Sequence, residues 1–128
     1  MKEISASLGL LFLRVMAGAG MAYHGYGKVF GGHMEMMIEG VGKLGFPMQV
    51  LFAWAAALSE FAGGSLLILG FLTRPAALMV FVTMSVAAFM QHAADPLQVK
   101  ELALAYWAMS GALIFTGAGK ISLDGFRK

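Results

Sequence analysis

The sequence predicts an all-α integral membrane protein: a four-helix up-and-down bundle with a short interfacial helix between its first two spans. Composition predicts the membrane. Of 128 residues, 59% are hydrophobic and 12% charged, against about 45–50% and about 25% in an ordinary soluble domain, and mean hydropathy is +0.77. Segment length predicts helices, because four apolar stretches approach the roughly 20 residues that a spanning helix needs. Loop length predicts the up-and-down order, because the last three stretches are joined by short polar breaks.

The first stretch runs from Ile4 to Tyr23 and ends in His24, glycines and Lys28. The second runs from Met48 to Leu69. The third runs from Pro75, a residue suited to a first helical turn, to about His92. The fourth, from about Leu97 to Thr116, is the weakest, since Lys100 and Glu101 shorten its apolar part. "GFLTRP" is a tight hairpin between the second and third spans, and Asp95-Pro96 marks a turn before the fourth. Between His24 and Pro47, Met34, Met37, Ile38, Val41 and Gly45 fall near helical spacing opposite Glu35, Glu39 and Lys43, the pattern of an interfacial helix. Gly40 and Gly42 weigh against it. "GAGK" at Gly117–Lys120 lacks the full phosphate-loop spacing and reads as an exit turn. The chain is short enough for one transmembrane domain over residues 1–128. A cleaved signal peptide is not expected, because the start lacks a basic region and a polar cleavage site.

Orientation follows from basic residues in the loops. Lys2, Arg74, Lys120, Arg127 and Lys128 fall on the side of the termini and outnumber Lys28, Lys43 and Lys100 on the other. This places both termini in the cytoplasm, as a multi-pass protein of the cell's inner (plasma) membrane.

The small net charge of +2 gives no nucleic-acid footprint. The lack of cysteine removes thiolate nucleophiles, disulfides and iron–sulfur ligation by this chain. His24, His33 and His92 match no metal-ligand spacing, so no metal site is expected. The 11 methionines read as flexible apolar filler.

Two charges fall mid-span: Arg14 in the first helix and Glu60 in the second. A charge at the bilayer centre costs about 2.5–3.5 kcal/mol on insertion scales. Arginine cannot shed its proton, so the expected solution is an Arg14–Glu60 pair inside the bundle. Ala56, Ala57, Gly63 and Gly64 flank Glu60 at helical spacing and let another helix approach. The pair reads either as a latch that docks the two helices or as the polar centre of a pocket. A second polar group gathers at the end opposite the termini: His24, Gln91, His92, Asp95, Lys100 and Glu101, with Tyr23, Tyr26, Tyr106 and Trp107. A histidine, a glutamine and carboxylates around a partly apolar mouth suit a quinone head group.

These residues also carry a resemblance. "LLFLRVMAGAGMAYHGYGKVFGG", "SEFAGGSLLILGFLTRPAA", "MQHAADP" and "GAGKISLD" resemble the DoxX family of small four-helix membrane proteins over nearly the whole length. The family pattern matches Arg14, His24-Gly25-Lys28, Glu60-Gly63-Gly64, Gly70-Thr73-Arg74 and Ser122-Leu123-Asp124. The resemblance implies the four-helix membrane fold and an association with membrane redox complexes. The family takes its name from a subunit linked to thiosulfate:quinone oxidoreductase. It supplies no agreed catalytic set.

The leading functional expectation is a membrane subunit of a redox system that interacts with quinone and, if enzymatic, belongs to a quinone-linked oxidoreductase. Arg14 and Glu60 would form its polar centre, and His24, His92 and Glu101 would be head-group or proton partners. No bound cofactor besides quinone is expected, because quinone carries the electrons, and a partner redox protein is implied as their source. The alternative is a non-enzymatic membrane adaptor that recruits a redox or stress-response partner. A transporter ranks last, since four helices leave little room for alternating access. Small-residue stripes are compatible with a homo-oligomer.

Overall fold

The computed structural model describes residues 2–127; Lys128 and the side chain of Lys2, both counted for orientation, lie outside what is described. The chain forms α1 (Lys2–Val29), α2 (Met34–Lys43), α3 (Gln49–Leu69), α4 (Thr73–Val86), α5 (Leu97–Thr116) and the short α6 (Leu123–Phe126). A π-helical turn, Ala87–Gln91, prolongs α4. The described residues are an all-α bundle, as the sequence predicts.

Two expectations need correction. Of the four long helices, three are long and apolar enough to cross a membrane: α1, α3, and α4 with its π turn. The fourth, α5, falls short because Lys100 and Glu101 lie in its first turns. α1 also continues past Tyr23 to Val29. Its 28 residues make a rod of about 42 Å, longer than the roughly 30 Å hydrocarbon layer.

The order of packing is α1 on α3, α3 on α4, and α4 on α5, with α2 lying on α3 and only a light α1–α5 contact. Buried Arg14, Ala17, Met21 and Gly25 recur at helical spacing on α1 and face α3. The approach is at backbone distance: a Cβ on Gly64 would lie 2.5 Å from the Ala22 nitrogen and 2.6 Å from the Gly18 oxygen. Lipid gives helices no hydrophobic drive to associate, so such close van der Waals contact of small residues is what holds them. The core below is Met21, Leu67, Ala76, Ala77, Val80, Met84 and Leu113.

The α1–α3 contacts fix an antiparallel register. Gly18 meets Gly64 and Gly25 meets Phe61. Glu60 therefore lies level with the end of α1, and Arg14 lies level with Gly70.

Candidate functional site

This register breaks the expected Arg14–Glu60 pair. Arg14 and Lys28 are separated by about 21 Å along α1 at roughly 1.5 Å per residue, and it is Lys28 that meets Glu60. Lys28 Nζ donates to Glu60 Oε1 at 2.8 Å and to Oε2 at 2.7 Å. The Glu60 side chain is 3% exposed and that of Lys28 26%. Arg14 is mid-span only for a first helix that ends at Tyr23. The extra turns to Val29 carry Lys28 over Glu60.

Two clefts flank the pair. One, of about 400 Å³, lies between α2, α3 and α4; Met37, Val41, Phe52, Ala56, Val82 and Val86 make it apolar. The other, of about 470 Å³, lies between α1, α2, the end of α4 and α5 and holds His24, His33, His92, Tyr106, Met21 and Met84. Lys28, Met37, Glu60, Ala87 and Gln91 line both. The ion pair and Gln91 thus form a polar divide between a greasy compartment and a histidine-lined one. Gln91 owes its position to the π turn, a local widening of the helix that is frequent at functional sites.

The histidines are supported from around the cleft. His92 Nδ1 lies 2.8 Å from Asp95 Oδ2. The His24 ring meets Tyr106 edge-on at 6.2 Å. Trp107 Nε1 donates to Ser85 Oγ at 3.1 Å and stacks on Phe81, pinning α5 to α4 beside the cleft.

Of the residues expected from sequence, Glu60, His24 and His92 come together here. Arg14 does not, and Glu101 is exposed and outside both clefts. In the sequence Lys28 stands out only as a basic residue past the first stretch and as the lysine of H-G-x-x-K, which is the available signal for its role.

Arg14 belongs to a separate cluster at the other end. Its side chain is buried and Nη2 donates to the Ile121 carbonyl at 3.0 Å. Its Nε and Nη1 have no hydrogen-bond partner among the described residues. Gly70, at φ +68°, leaves room for it: a Cβ there would clash with Nη1. Asp124 ties the same cluster together. Its amide donates to the Gly70 carbonyl at 2.8 Å, and its carboxylate accepts from the Leu72 and Thr73 amides, both at 2.9 Å. That caps α4 where Leu72, at φ +50°, turns the chain. Burial pushes the Asp124 carboxyl up, but the Thr73 and Leu72 amides and the Arg127 charge outweigh it and hold it below the usual carboxylate range.

The DoxX family model matches residues 9–93, which hold α1 from Gly9 onward, α2, α3, α4 and the Lys28–Glu60–Gln91–His92 constellation. The chain belongs to the DoxX family. This DoxX protein is 34% identical over 122 residues to an uncharacterized protein of Haemophilus influenzae, covering 90% of this chain and 87% of the relative. It is 32% identical over 124 residues to the inner membrane protein YphA of Escherichia coli K12, again covering 90% of this chain and 87% of that one. No solved structure gives a significant match. Family and apolar helices together make this a membrane protein.

Proposed function

We propose that this DoxX protein is a membrane subunit of a redox system that holds a quinone head group at the Lys28–Glu60 pair. The observation that carries the reading is the buried ion pair on the divide between an apolar and a histidine-lined cleft. An ammonium has three donor protons, and Glu60 takes two of them. Among the described residues nothing takes the third, which is left for a ligand carbonyl oxygen. The Gln91 amide and the rings of His24 and His92 line the same space and supply further donors and acceptors. Apolar walls with a few convergent polar groups are the usual make-up of a small-molecule site.

Quinone, when bound, supplies the electron-carrying chemistry; this chain's residues bind and orient its head group. His92, hydrogen-bonded to Asp95 and partly exposed, connects the cleft with water and suits proton exchange there. A partner redox protein delivers the electrons. The orientation with both termini cytoplasmic, in the inner membrane that the YphA name specifies for that relative, puts the cleft mouth on the outer side.

The test is binding of a benzoquinone to the purified protein, followed by its carbonyl infrared bands. Wild type and Arg14→Gln should bind and shift the bands, whereas Glu60→Gln should not. Equal binding by Glu60→Gln and wild type would defeat the reading.

A further inference from the structure

The cleft between α2, α3 and α4 has a property that the head-group reading does not use. Its two hydroxyls are satisfied within their own helices. Ser59 Oγ donates to the Ala55 carbonyl at 2.7 Å, and Thr83 Oγ1 to the Met79 carbonyl at 2.9 Å, each within its own helix. Apart from Lys28, Glu60 and Gln91 on the divide, the walls present hydrocarbon. At about 400 Å³ the cleft lies within the size range of small-molecule sites, about 300–1,000 Å³. Val41 of α2, itself buried, forms part of one wall, so the trough is partly covered. Phe52, Leu78, Met79 and Val82 along it are exposed on the outside of the bundle, the side that meets lipid in a membrane.

We propose that this trough seats the apolar chain of the ligand whose head group lies at Lys28–Glu60, and that the chain enters sideways from the bilayer between α2 and α4. The proposal rests on the head-group reading and adds the substrate class: a lipid-soluble, long-chain amphiphile rather than a water-soluble quinone. The occupant is argued from continuity, because Lys28, Met37, Glu60, Ala87 and Gln91 line both clefts. A chain attached to a head group on that divide leaves it into hydrocarbon without crossing water. Burying methylenes there contributes affinity in proportion to area.

The test compares two benzoquinones with the same head group, one carrying a methyl and one a decyl chain, by calorimetric binding to the full chain in detergent. Wild type should bind the decyl compound at least tenfold more tightly. Ala56→Phe, which fills the trough, should cut that advantage below threefold and leave the methyl compound's affinity unchanged. Val86→Phe, from the opposite wall, is the second variant should the first fail to fold. A decyl advantage retained in both variants overturns the trough as the chain's seat, while the head-group reading stands. Failure of wild type to bind either compound overturns both.

Discussion

Replacing Lys28 by methionine leaves the hydrocarbon stem and removes the ammonium from Glu60. The carboxylate is then buried without a counter-charge. Removing one partner of a buried pair costs about 3–5 kcal/mol when the other keeps its charge. Lys28→Met should therefore lose about 3–5 kcal/mol. The double variant Lys28→Met/Glu60→Leu removes both charges and should return to within about 2 kcal/mol of wild type, because a buried pair often adds little net stability over apolar residues. Thermal melts in detergent measure all three proteins. A single variant as stable as wild type, or a double variant no more stable than the single one, refutes the buried pair.

Arg14→Gln should cost about 1–2 kcal/mol through its lost bond to Ile121 and should loosen the C-terminal segment to protease, with quinone affinity unchanged. Gly70→Ala forces a side chain into a positive-φ site against Arg14 and Ser122, and should lower stability by at least about 1 kcal/mol, read as a lower melting temperature. Gly64→Leu should prevent α1–α3 docking and remove the folded species from size-exclusion profiles, since the clash is with the Ala22 and Gly18 backbone. The depressed Asp124 carboxyl stabilises its cap fully above the ordinary aspartate value of about 3.9. That contribution should disappear as pH falls through the folded value, seen as a titrating Thr73 amide resonance that is absent in Asp124→Asn.

Much of the fold was written in local sequence. The apolar runs placed α3 and α5 to within a residue or two, and period and charge together announced α2 in spite of Gly40 and Gly42. The site was half legible. Alternating helix direction sufficed to gather His24, Gln91 and His92 at one end. Pairing of the mid-span charges was not legible, because it depends on which turn of α1 faces which turn of α3. The close fit of Gly18 to Gly64 decides that, a tertiary contact without a local signature. Reading α1 as ended at Tyr23 hid Lys28, since glycines at 25 and 27 look like a stop. In the structure Gly25 is there because the Phe61 backbone lies against it. The π turn that sets Gln91 also leaves no mark in periodicity. Glu101 lies near the mouth along the chain, yet its helix leaves it exposed and outside both clefts.

The central claim is that Lys28–Glu60 holds a quinone head group. Native mass spectrometry of the protein extracted gently from its own membrane tests it most directly. The account predicts stoichiometric quinone on wild type and on Arg14→Gln, and none on folded Glu60→Gln. A folded wild-type protein that carries only phospholipid, or quinone that persists undiminished on Glu60→Gln, would contradict it.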